Sequence, residues 1–200
     1  VAEAVGAALA YDGPIVVVHG ANPARAAWLT EALAAKGRAP ICLPCPREPD
    51  LSMLEAALAD LKPQDPSVII GLGGGAVIDL AKALAALIPA PRGAMDHLEV
   101  VGKGLPLEAA PLPFIAVPTT AGTGAEVTKN AVIGVPEHGR KVSLRDGRML
   151  ADLALIDPAL TDGCPKGVTL ASGLDAITQV IEPYLCTRAT PMTDALCLEA

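Results

Sequence analysis

The stretch Ser67-Val-Ile-Ile-Gly-Leu-Gly-Gly-Gly-Ala-Val-Ile-Asp-Leu-Ala-Lys82 carries an apolar strand through a run of glycines and straight into an apolar helix. A strand that feeds a helix across so short a turn predicts one unit of a parallel sheet, with residues 67–71 as strand and 76–88 as helix. The same order stands twice upstream. Ile15-Val-Val-Val-His19 reads as a strand buried on both faces, and Asn22-Pro23 then opens an alanine-rich helix to Lys36, closed by Gly37. Residues 40–43 read as a strand, followed by a proline-rich loop and a helix over 51–61. Three such units in tandem imply a parallel sheet with right-handed crossovers, hence an α/β fold.

Downstream, residues 89–113 are rich in Pro and Gly and predict irregular structure, and Phe114-Ile-Ala-Val117 predicts a fourth strand. Shorter strands are expected over 127–135, 141–144 and 153–156, around turns at Glu137-His-Gly139 and Arg145-Asp-Gly147. After Asp157-Pro158 the texture becomes helical, about 169–185 and 191–200. The expected organisation is a Rossmann-like nucleotide-binding α/β domain over 1–160 and the beginning of an all-helical domain over 161–200. An alanine-rich start at Val1 and a helical pattern still running at Ala200 suggest a truncated piece of a longer protein, inactive by itself.

Composition narrows the partners. Hydrophobic residues make up 52% of the 200 and charged ones 18%, enough for a packed domain, while no apolar run approaches the ~20 residues of a membrane span. No secretory leader opens the chain, so a cytoplasmic protein is expected. A formal charge of −7, with one Phe, one Trp and two Tyr, repels phosphate backbones and leaves little to stack on bases, which argues against nucleic acid. Five cysteines, an odd and scattered set, read as reduced thiols, and Cys42-Leu-Pro-Cys45 as strand and turn residues.

Two loops carry the chemistry. Gly71-Leu-Gly-Gly-Gly-Ala76 matches the spacing of a dinucleotide fingerprint, but no acidic residue ends a strand some ~20 residues later to take the ribose. Its physics remains: bare backbone at Gly73, Gly74 and Gly75 lets a diphosphate approach, and the first amides of the helix that follows point at it with the positive end of the dipole. A Walker loop is excluded, because no Gly-Lys-Ser/Thr follows. Asp79 and Lys82 share a face of that helix at a spacing of three, as a surface pair or with Asp79 turned to the site. Pro118-Thr-Thr-Ala-Gly-Thr-Gly-Ala-Glu-Val-Thr128 adds three hydroxyls beyond the end of another strand, where open α/β sheets place ligands.

Together these segments resemble the iron-containing, group III alcohol dehydrogenase family. Gly73 to Lys82 is similar to that family's Gly-Gly-Gly-Ser-x-x-Asp-x-x-Lys loop, with Ala76 in place of serine. Pro118 to Thr128 is similar to its threonine loop except at Ala125, and Lys141-Val-Ser143, Asp157 to Leu160 and Ser172 to Glu182 follow in order. The resemblance implies hydride transfer between NAD or NADP and a small alcohol, aldehyde or ketone, in a homodimer. It implies pyrophosphate on Gly74, Gly75 and Ala76, a cofactor lined by Asp79, Thr119, Thr120, Thr123, Asn130 and Lys141, and Leu160 at the nicotinamide ribose. It implies a divalent metal, Fe²⁺ or Zn²⁺, with Asp175 as one ligand. Gln179 stands where the family has histidine, and a neutral amide is a poorer ligand for these ions. Where the family's first strand ends in an acidic residue, this chain has His19 and Gly20, so NADP should be tolerated. A lyase of the dehydroquinate synthase type and a non-catalytic nucleotide-binding protein are the alternatives.

Overall fold

Alternation along the central strands sorts their side chains onto two faces, and each face is covered by helices. In the computed structural model, which describes residues 2–200, β1 (Ile15–Gly20) sends Val16 and Val18 to one side and Ile15 and Val17 to the other. Strands β3 (Val68–Gly73) and β4 (Phe114–Pro118) are buried throughout and divide in the same way. Such continuous apolar runs are what a parallel strand covered on both sides requires. Helices α3 (Leu51–Leu61) and α4 (Gly75–Leu87) cover the first face, through Leu54, Leu61, Ile78 and Leu84. Helices α1 (Ala2–Ala8) and α2 (Ala27–Ala35) cover the second, through Ala4, Ala8, Leu29 and Leu33.

The edges are β2 (Ile41–Cys45) and β7 (Leu153–Ala154), and all five strands run parallel in the order β2-β1-β3-β4-β7. The layers are those of the expected Rossmann-like domain, and the order reverses between β1 and β3. A crevice opens there, outside the carboxyl ends of the strands.

Several boundaries differ from expectation for local reasons. The helix expected from Asn22 begins as a 3-10 turn, Pro23–Ala26, with the Asn22 side chain accepting from the Ala24 amide, and becomes α-helical at Ala27. The irregular stretch contains a short helix α5 (Ala94–His97). Its surroundings are tied to the core by the Leu112 amide on the Ala85 carbonyl. The strand expected from 127 starts at Asn130, because Ala125–Val127 forms a 3-10 turn. That strand, β5 (Asn130–Val135), pairs antiparallel with β6 (Arg140–Arg145), and the Gly134 amide ties the hairpin to the Pro49 carbonyl before α3. β7 is two residues long instead of four.

Helix α6 (Lys166–Tyr184) starts three residues earlier than expected, and α7 (Pro191–Glu199) is entered through a Thr190/Thr193 capping box. Both expose large apolar side chains, among them Leu170, Leu174, Ile177, Met192 and Leu198. Ser172 is the exception, buried against the loop after β4. Among the described residues no helix is long and apolar enough to cross a membrane.

Candidate functional site

The glycine loop and the threonine loop meet at the ends of neighbouring strands. β3 stops at Gly73, Gly74 adopts an extended conformation, and α4 begins at Gly75 with no side chain capping it, so its first amides face outward. The Thr119 amide donates to the Gly73 carbonyl at 2.9 Å and stitches the loops together. A Cβ on Gly74 would lie 3.1 Å from Thr120 Cγ2, and one on Gly75 3.3 Å from Thr123 Oγ1. Bare backbone is therefore what lets the hydroxyls come so close. On the far side of the loop Gly122 has a φ of 132°, and a side chain there would collide with the Ser172 carbonyl of α6.

Two cavities flank this seam. One, of about 460 Å³, lies over the β1/β3 switch and is lined by His19, Gly20, Asn22, Arg25, Gly74, Thr119 and Thr120 among others. It has no carboxylate in its wall. The other, of about 410 Å³, holds Gly75, Ala76, Asp79, Thr123, Asn130, Lys141, Asp175 and Gln179. Of the residues that the resemblance assigns to cofactor or metal, only Leu160 lines neither: it packs against the core face that contains Val117, and its carbonyl accepts from Arg25 Nη2 at 3.4 Å.

Charge in the second cavity is unevenly shared. Burial pushes the Asp79 carboxyl up to about 6, against the pull of the Lys82 ammonium. Lys141, at the rim, is paired with Glu48, which also lines the cavity. Lys82 does not reach the surface at all. It is fully buried and donates to the carbonyls of Ala125, Thr128 and Asn130, so the surface-pair reading of Asp79 and Lys82 is wrong. Its signal was present: a lone lysine in a helix otherwise apolar on that side must find partners inside. Glu48 and Arg25 had no comparable mark and enter the site through the fold. Cys45 is buried, its thiol is pushed up to about 11 by burial, and it donates to the Arg47 carbonyl, which makes it a strand residue without thiolate reactivity.

The family model for iron-containing alcohol dehydrogenases matches residues 2–158. The chain belongs to that family. It is 41% identical over 175 residues to the probable alcohol dehydrogenase EutG of Escherichia coli (strain K12), covering 87% of this chain and 43% of the relative. It is 40% identical over 153 residues to long-chain-alcohol dehydrogenase 1 of Geobacillus thermodenitrificans, covering 76% and 38%. Alcohol dehydrogenase from Oenococcus oeni superposes with a TM-score of 0.84 at 27% identity, over 98% of this chain and 52% of that one. A sulfoacetaldehyde reductase from Bifidobacterium kashiwanohense, solved in complex with NAD⁺, superposes at 0.82 with 24% identity and shares the fold. The chain thus spans less than half the length of these curated relatives and about half of the solved ones.

The family name implies iron, and the residues present can be tested for it. Asp175 and Gln179 lie one turn apart on α6, but Gln179 Nε2 donates to Asp175 Oδ2 at 2.7 Å and to the Thr123 carbonyl at 3.1 Å. The amide thus turns its donor side to the carboxylate, where a metal ligand would present a lone pair. Among the described residues no group of three or more His, Cys, Asp or Glu side chains could hold an ion. Asp175 and Gln179, engaged with each other, do not by themselves make a divalent-metal site; what they do in this structure is join α6 to the threonine loop.

Proposed function

We propose that the chain forms the dinucleotide-binding half of an oxidoreductase that interconverts a small alcohol with its aldehyde or ketone. The observation that carries this reading is the glycine–threonine seam, where the start of α4 is left uncapped between a cavity lined by Thr119 and Thr120 and a second lined by Thr123. That arrangement suits a diphosphate, whose charge meets backbone N–H groups and the positive end of a helix dipole. When bound, a nicotinamide dinucleotide supplies or accepts the hydride. The chain's own residues bind and orient. Gly74, Gly75 and Ala76 take the diphosphate, Thr119 and Thr120 face one side of it, and Asp79, Thr123, Asn130 and Lys141 face the other. No step is assigned to a metal, since Asp175 and Gln179 are engaged with each other.

The first cavity supports a choice of cofactor. His19 and Gly20 stand at the end of β1 without a carboxylate, and Arg25 lies in the same wall. A 2′-phosphate would meet no negative charge and one guanidinium, so NADPH should be accepted at least as well as NADH. Calorimetry with NADH and NADPH on the whole protein tests both points. Micromolar binding is expected, and absence of binding by either dinucleotide sinks the reading. Net turnover of NAD(P)H with a simple aldehyde separates it from a lyase that uses the cofactor transiently and from a protein that only binds nucleotide.

A further inference from the structure

The Lys82 ammonium sits inside the fold, with only 1% of the residue exposed, and it gathers four oxygens from one short segment. It donates to the carbonyls of Ala125 at 2.6 Å, Thr128 at 2.7 Å and Asn130 at 3.0 Å, with Thr128 Oγ1 at 3.1 Å. Those carbonyls belong to the first residue of the 3-10 turn Ala125–Val127, to the residue that caps it and to the first residue of β5. They form the limb of the threonine loop that leads away from Thr123 and carries Asn130 to the cavity wall. An ammonium has three N–H groups and no lone pair, so three converging carbonyls are its full complement. A neutral amine would turn a lone pair towards one of those oxygens and leave it unsatisfied in a buried place.

We propose that Lys82 is a positioning residue, whose ammonium pins the Ala125–Asn130 limb to α4 and thereby holds Thr123 and Asn130 in register with the glycine loop across the cleft. It touches no ligand itself, and its place is fixed by the fold at one end and by the loop at the other. The ligand readout below rests on the dinucleotide reading; the loop readout does not.

The charge on this clamp is adjustable. Burial pulls the Lys82 ammonium down to about 8, against the attraction of Asp79 on its own helix and Glu126 on the turn that faces it. The clamp is therefore complete below that pH and lost as pH rises through it. Asp79 titrates near 6 and has finished before this window opens.

Amide hydrogen exchange over residues 123–130, without ligand, compares the protein at about pH 7 and about pH 9.5 after correction for intrinsic rates. Exchange in this segment should quicken by about tenfold or more at the higher pH, with the amides of β1 and β3 unchanged. Lys82→Met should show the fast rate already at pH 7 and no further pH step. The dissociation constant for NADPH should follow the same pattern, rising by about tenfold in either condition. Exchange over 123–130 at pH 7 that is as slow in Lys82→Met as in the natural protein overturns the proposal, and Lys82→Gln, which keeps one donor group, makes the same comparison if Lys82→Met fails to fold. A pH step in exchange with no NAD(P)H binding at any pH would support the clamp and reject the dinucleotide reading instead.

Discussion

The floor and the roof of the second cavity hold their polar groups by opposite means. On the floor, α4 buries Lys82 completely and Asp79 largely, and both titrate away from their usual ranges because water has been removed from around them. On the roof, α6 presents Asp175 and Gln179 to solvent, joined to the loop by one amide and by the close fit of Gly122 on Ser172. Burial makes the floor rigid and expensive to alter, whereas exposure makes the roof a weakly held cover. The difference separates changes that should abolish the site from changes that should only loosen it.

The strongest test is Gly75→Val. The new side chain would press on Thr123 and fill the approach to the first amides of α4, so affinity for NAD(P)H should fall by about 100-fold, with little change in the thermal midpoint. Calorimetry and a melting curve on the same sample check it, and unchanged affinity would mean the floor is not where the dinucleotide lies.

Next in size is the titration of Asp79. Its folded pKa lies above the unfolded value, so its contribution to stability is fully present below about 4 and is lost as pH rises through about 6. Asp79→Asn removes that dependence. The stability of the variant relative to the natural protein should climb between about pH 4 and pH 7, by on the order of 2–3 kcal/mol. Denaturant midpoints measured across that range would show it, and a flat difference would place Asp79 in water.

The smallest effect belongs to the roof. Gln179→Leu removes two exposed hydrogen bonds and should lower stability by about 1 kcal/mol or less, leaving cofactor affinity within about twofold. Cleavage by protease in 166–190 should quicken while the sheet resists. Damage to binding as large as that from Gly75→Val would erase the distinction between floor and roof.

Much of the floor was legible in the amino-acid order, and the reason is burial. β1, β3 and β4 are covered on both faces, so each is written as an unbroken apolar run, and the glycines and threonines at their ends mark where side chains give way to backbone. What escaped depended on partners distant in the chain. The start of β5 slipped from 127 to 130 because the carbonyls of Ala125 and Thr128 turn inward to Lys82, 43 and 46 residues upstream. The α5 turn sits in a stretch whose prolines and glycines signal loop, and its place follows from packing on α3. Gln179 was seen as a substituted ligand, but its bond to Thr123 lies 56 residues away and leaves no local trace.

The close seat of Gly122 on Ser172 also has a mechanical side. It is a fulcrum about a third of the way along α6, with Tyr184 twelve residues beyond, a distance of about 18 Å at 1.5 Å per residue. Turning the helix by about 10° on that point sweeps its far end through about 3 Å while Ser172 barely moves. Gln179, part-way along, is the catch that such a swing must release first.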